Sequence, residues 1–189
     1  DIVKNRDPRL NQTVCVNDNL HPRTNNRPGG LPNEEFTNPI VDQATEDNCS
    51  TGFQRYKGTD PNYVKQFNGM GDAGLIFFRY AEVLLTYAEA KAELGTITQA
   101  DLDLSINKLR DRVQMPNLVL GSIVTDANWG FPALSPIINE VRRERRIELA
   151  VEGFRHDDIW RWAAAAELII GKKPLGAKKA QWVGVPNIN

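Results

Sequence analysis

Between Phe78 and Gly171 the apolar residues recur at the three- and four-residue spacing of α-helices, and this pattern most narrowly limits what the chain can fold into. In FRYAEVLLTYAEAKAELG, from Phe78 to Gly95, the residues Ala81, Leu84, Leu85, Ala88, Ala92 and Leu94 lie near one side. A stripe of that width has to be buried against another element. Gly95 is a natural C-terminal stop. Thr98 and Asp101 have the spacing of a capping pair. Leu102, Ile106, Leu109 and Val113 then follow as one helix that Pro116 ends. Two amphipathic helices with so short a link predict an antiparallel hairpin.

After the loop carrying Trp129, Gly130, Phe131 and Pro132, Ser135 is a good N-cap and Pro136 suits the first helical position. The third predicted helix runs through IINEVRRERRIELAVEG, with a break or kink at Gly153. The fourth, FRHDDIWRWAAAAELIIG, ends near Gly171, and the tail KKPLGAKKAQWVGVPNIN returns to loop character. The expected fold is therefore mainly α: helical hairpins in series, packed in a tetratricopeptide-like manner without a strict repeat.

Residues 1–75 read differently. LHPRTNNRPGGLPNEEFTNP, GTDPNY and NGMGDAG are rich in Asn, Pro and Gly, which favour turns. They predict long irregular loops with a few short strands. So long a structureless stretch implies a binding surface or a segment that packs on other parts of a larger protein. The division expected is a loop-rich, ligand-facing segment over 1–75 and a helical portion over 76–189. Cys15 and Cys49 both fall in the first segment; a disulfide and two unpaired thiols are both open. The start, DIVKNRDPRL, has neither Met nor the basic and apolar regions of a signal peptide, so the chain reads as an internal piece. No apolar run is long enough to span a bilayer. The formal net charge of −1 gives no global attraction to nucleic acid.

The charged residues admit a chemical and a structural reading. Arg142, Arg143, Glu144, Arg145, Arg146 and Glu148 could form an anion-binding patch. The pairs Glu140–Arg143, Arg145–Glu148 and Glu152–Arg155 also have i, i+3 spacing, and exposed pairs of that kind contribute about 0.2–0.5 kcal/mol each. The structural reading is preferred. Asp157 and Asp158 suggest glycosidic acid–base work, but adjacent helical residues point about 100° apart, which suits opposed carboxylates poorly. An acidic first helical turn is the better account. With His21 and His156 the only histidines, no metal-ligand spacing is seen, and neither a nucleophile elbow nor a phosphate loop is present. No cofactor is expected.

Four stretches, in order, resemble the SusD/RagB family: NRDPRL, FRYAEVLLTYAEAKAELG, INKLRDRVQMP and RRERRIELAVEGFRHDDIWRW. The last is the most specific, combining its Arg and Glu run with Glu152-Gly153, Arg155, Asp158 and Arg161-Trp162. NWGFPALSP resembles one branch of the family. The resemblance implies the carboxy-terminal portion of a helical, lipid-anchored protein on the outer face of the outer membrane. Such proteins bind oligosaccharide without hydrolysing it and cap a SusC-like TonB-dependent transporter. A protein-docking module and a carrier of peptide or other non-glycan cargo are the rival readings.

A glycan reader needs aromatic rings to stack on sugar C–H faces and polar groups for the hydroxyls. Tyr56, Tyr63, Phe67 and Trp129 lie in predicted loops, with Arg55 and Asn62 beside the first two. The candidate ligand-binding set is Arg55, Tyr56, Asn62, Tyr63 and Trp129. Trp129, inside a family-like stretch, reads first as a packing residue. Trp160 and Trp162 read as helix-packing residues, and Tyr80 and Tyr87 as one helix face.

Overall fold

The computed structural model describes residues 4–14, 51, 53, 55–58, 71, 74, 76–173 and 175–176. Two compact units are distinguished. One comprises Asp1–Arg6, Leu10–Leu75 and Lys173–Asn189; the other comprises Asp7–Arg9 and Ile76–Lys172.

Helix α1 (Arg9–Thr13) contributes Leu10–Thr13 to the first unit, where Val14 forms an antiparallel bridge with Arg55. The amides of Tyr56 and Lys57 both donate to the Thr13 carbonyl, at 2.9 and 3.2 Å.

The second unit is built on α2 (Tyr80–Glu93), which packs against α5 (Pro136–Glu148). Ala81, Leu84, Leu85, Ala88 and Ala92 form the buried stripe of α2, as the periodicity predicts. Three of the five are alanines, so a facing helix can approach closely. Leu94 is the exception: it is the C-cap and is 74% exposed. Gly95 follows in the left-handed region, and Thr96 and Gly95 donate to the carbonyls of Lys91 and Ala92. This pair of hydrogen bonds is the Schellman stop.

The second predicted helix is two helices, α3 (Gln99–Leu104) and α4 (Ile106–Arg112). The Thr98–Asp101 capping box forms as expected. The break falls at Ser105, whose hydroxyl donates back to the Asp101 carbonyl four residues earlier. Ser is prone to this competition with the helix ladder. The stop also comes before Pro116. Gln114 adopts φ 57, and Gln114 and Met115 donate to Asp111 and Arg110 in a second Schellman arrangement. Leu102, Ile106, Leu109 and Val113 are nevertheless all buried, because the break preserves the stripe.

Helix α5 opens with Pro136 at its first turn, but Ser135 makes no side-chain cap, and the helix stops at Glu148 rather than running to Gly153. Gly153, at φ 92, is the N-cap of α6 (Phe154–Arg161). The fourth predicted helix is also divided. Ala163 takes φ 49, and Ala163 and Ala164 donate to Trp160 and Ile159. The short α7 (Ala165–Leu168) follows, and Gly171, at φ 73, lies at the expected stop. Among the described residues the fold is helical throughout, with no strand beyond the single bridge.

Candidate ligand-binding site

The Arg and Glu run of α5 lies inside the second unit. Glu144 and Glu148 are each 2% exposed. Glu144 accepts from Arg9 at 2.6 Å and from Arg110 at 2.9 Å. Glu148 accepts from Arg79 at 2.7 Å, from Arg112 at 3.0 Å and from Arg9 at 3.2 Å. Arg79 also grips Glu152 through two donors and the Glu148 carbonyl through a third. Burial disfavours the Asp7 carboxylate, but the Arg9 guanidinium and amide outweigh it and hold its pKa below the usual range.

Of the three i, i+3 pairs expected, Glu140–Arg143 forms, at 2.6 Å. Arg145 turns to Asp158, and Glu152 turns to Arg79. Tertiary partners displace local ones because these side chains face packed elements, where an unpaired charge is costly.

A second ionic group joins α2 to α6. Asp158, 2% exposed, accepts from Arg145 at 2.8 Å and from Arg161 at 2.9 Å. Glu89 is gripped by both terminal nitrogens of Arg161 and by the Trp162 indole N–H at 2.6 Å. Burial raises the Glu89 pKa, but these donors overcome it and leave the carboxyl below its ordinary value. Asp157, by contrast, is 81% exposed, so the two adjacent carboxyls face no common site.

Two cavities flank the segment after α4, and the amide side chains of buried Asn107 and Asn139 and half-buried Gln99 hold their walls. Asn107 clamps Leu118: its Oδ1 accepts from the Leu118 amide at 2.7 Å and its Nδ2 donates to the Leu118 carbonyl. Gln99 takes the Leu120 amide at 2.8 Å. Asn139 on α5 pins the next loop, accepting from the Phe131 amide and donating to the carbonyls of Phe131, Leu134 and Ser135. Asp126 closes the turn before Trp129, accepting from the Asn128 amide through its side chain and from the Trp129 amide through its carbonyl.

The larger cavity, about 580 Å³, has apolar walls at Leu118, Val119, Ile123 and Val124 and a charged edge at Arg110, Glu140 and Arg143. The smaller, about 190 Å³, is lined by Trp129, Phe131 and Leu168 and by Arg142, Arg143, Arg146 and Arg155. Asp126 and Arg143 line both. Arg142 is fixed between the rings of Phe131 and Trp162, 4.4 and 4.5 Å from their centroids, and donates to Glu93 at 3.0 Å.

The structure distributes the expected site residues unevenly. Trp129 is half-buried at the smaller cavity, a place that suits both its packing and its ligand-facing reading. Arg55 is exposed and Tyr56 half-buried in the first unit. Asn62, Tyr63, Phe67, Cys15, Cys49 and His21 lie outside the described residues. Trp162 packs as expected, edge-to-face on Phe131 at 5.7 Å. Trp160 does not: it is 74% exposed, its indole N–H donating to His156 Nε2 at 2.9 Å. Tyr87 donates to Asp101 through its hydroxyl. The sequence pattern admits Arg146 to an anion-binding patch but prefers the structural reading, pairs Arg155 with Glu152, and does not single out Asn139. The spacing of Arg142 and Arg146 by four was the available signal. Among the described residues no cluster of His, Cys, Asp or Glu could hold a metal ion, and no helix is long and apolar enough to cross a membrane.

Comparison with known proteins adds the family context. Residues 1–183 match the SusD family. Over 98 residues the chain is 35% identical to SusD-like protein P38 of Formosa agariphila, an alignment covering 52% of this chain and 19% of that protein. The chain thus spans well under half the length of this curated relative. No solved structure matches. The mainly helical architecture agrees with the family match, and the match covers nearly the whole sequence: the chain belongs to the SusD family.

Proposed function

We propose that this chain is part of a non-catalytic, carbohydrate-binding nutrient-uptake protein at the cell surface. The intact protein would be lipid-anchored in the outer membrane and would hand captured oligosaccharide to a SusC-like TonB-dependent transporter. In this reading the tetratricopeptide-like helices over 76–189 are the scaffold and the loop-rich segment over 1–75 faces ligand. Family membership supports the general role.

The observation that carries the reading at residue level is the Trp129 cavity pair. A half-buried indole and the partnered guanidiniums of Arg142 and Arg143 line walls that buried amides hold. A cavity of about 580 Å³ beside it is within the usual range for a small ligand, roughly 300–1,000 Å³. Rings and fixed polar donors together suit a sugar, which has apolar faces and a hydroxyl rim. Arg55, Tyr56, Asn62 and Tyr63 are proposed as further contacts.

One observation favours a second reading. Ile76, Phe77, Phe78 and Tyr80 are 73, 77, 85 and 65% exposed, an apolar patch at the start of α2 that suits docking of a protein partner. A glycan-array screen of the intact protein separates the two. Saturable binding of one sugar class, weakened by Trp129→Ala and without release of reducing ends, is the expected result. Failure to bind any glycan moves docking or a peptide cargo to first place, and release of reducing ends refutes the non-catalytic role.

A further inference from the structure

We propose that the smaller cavity is an oxyanion subsite, where Arg146 and Arg155 beside Trp129 take the carboxylate or sulfate group of an acidic saccharide. The inference rests on the glycan-binding reading above and specifies its ligand.

The first observation is a local imbalance of charge in a chain whose overall charge is −1. Four arginines and one carboxylate, Asp126, line the cavity. Arg142 is bonded to Glu93, and Arg143 to Glu140 and, at 3.4 Å, to Asp126. Arg146 and Arg155 have no ion-pair or hydrogen-bond partner among the described residues. Arg155 is half-buried, with its guanidinium 5.7 Å from the Trp162 ring centroid. Burial, then the neighbouring Arg146 charge, pull its pKa down. Arg9, Arg79 and Arg161 are shifted the other way by the carboxylates that hold them. Asp158 offsets part of the Arg155 field, but its oxygens already serve Arg145 and Arg161.

The second observation is independent of charge. Trp129 Nε1 and Arg142 Nε are buried N–H donors with no acceptor among the described residues, and both residues line this cavity. Arg142 is 8% exposed. Native folds leave few buried donors unpaired, because each loses its hydrogen bonds to water without replacing them. An oxyanion has only acceptors, so it complements unpaired guanidiniums and orphan N–H groups at once.

Size limits what enters. A volume of about 190 Å³ is below the usual range for a whole small-molecule ligand, roughly 300–1,000 Å³, but ample for one substituent. The larger cavity shares Asp126 and Arg143 with it and has room for a sugar ring. Planar carboxylate and tetrahedral sulfate are both compatible with guanidinium donors, and the experiment separates them.

The test is calorimetric titration of the intact protein with three tetrasaccharides of one backbone, neutral, uronate-bearing and sulfated. Wild type is compared with the Arg146→Gln/Arg155→Gln double variant. Since neither arginine holds an ion pair among the described residues, the variant should fold, which circular dichroism checks; Arg146→Glu, at an exposed position, is the second variant. One acidic ligand should bind about tenfold or more tighter than the neutral one, the variants abolishing that advantage while neutral binding persists. The acid that gains identifies carboxylate or sulfate. Equal binding of neutral and acidic ligands, or an advantage that survives both variants, overturns the subsite and leaves the glycan reading intact. A parallel melting experiment compares sulfate with chloride at equal ionic strength. Arginine-dependent stabilisation by sulfate without any saccharide binding keeps the anion site and overturns the glycan reading. Absence of both effects overturns both.

Discussion

Glu148→Gln is the most informative perturbation of the scaffold. The substitution keeps shape and removes one charge from a carboxylate that is 2% exposed and contacts Arg9, Arg79 and Arg112. Removing one partner of a buried ion pair typically costs about 3–5 kcal/mol, because the remaining charge stays desolvated. The partners here are unequally trapped. Arg112 is 51% exposed and can rehydrate, and Arg79, 25% exposed, retains Glu152. Arg9, at 4%, cannot reach water but retains Glu144 at 2.6 Å and Asp7. The loss should therefore fall near the lower end, about 3 kcal/mol, a large share of the roughly 5–15 kcal/mol that holds a domain folded.

Urea unfolding followed by far-ultraviolet circular dichroism measures the loss, with Asp157→Asn at an 81% exposed carboxylate as the control, expected to stay within about 0.5 kcal/mol. In a melt, about 3 kcal/mol corresponds to roughly 6–12 °C for a chain of this size. A cost under about 1 kcal/mol for Glu148→Gln would mean that the network is solvated in solution, and would refute the argument that tertiary ion pairs organise α5.

Asn139→Ala should cost about 1–3 kcal/mol, since it strands the Phe131 amide and loop carbonyls; it should also alter Trp129 fluorescence, and an unchanged spectrum would show that the loop is held by something else. Ala163→Gly should stabilise by roughly 0.5–1 kcal/mol in the same urea assay, because Ala163 occupies the left-handed stop at φ 49 where glycine is unstrained; a loss would refute that geometry. For Glu89, whose folded pKa lies below the unfolded value of 4.5, the unfolded chain binds the proton more tightly, so its contribution is complete above about pH 4.5 and drains away as pH falls through the folded pKa. Unfolding free energies from pH 6 to 3 should fall more steeply in wild type than in Glu89→Gln, and identical slopes would exclude this carboxylate as a contributor.

What could be read without coordinates was what depends on neighbours along the chain. The stripe of α2, the Thr98–Asp101 box, the stop at Gly95 and Pro136 at the head of α5 are all local, and the structure contains each one. The helix breaks at Ser105 and Ala163 were not legible. Ser105 depends on a hydroxyl choosing a backbone carbonyl over solvent, and Ala163 adopts a conformation usually left to glycine. Trp160 was misjudged because an aromatic residue in a helix carries no mark of which face meets the core.

The partner of each charge was decided only in three dimensions. Glu148 and Arg145 have the spacing of a helical pair, yet Glu148 binds Arg9, 139 residues away, and Arg145 binds Asp158. A salt bridge on one helix contributes a few tenths of a kcal/mol, whereas a buried charge left unpaired costs several. Packing therefore overrules local spacing wherever a helix is enclosed. Exposed Arg146 and half-buried Arg155 line a cavity and have no carboxylate partner among the described residues. In this chain the order of residues determined the helices and the family; only the tertiary structure decided which arginines were spent on the fold and which kept no carboxylate partner among the described residues, because desolvation acts on neighbours in space and not in sequence.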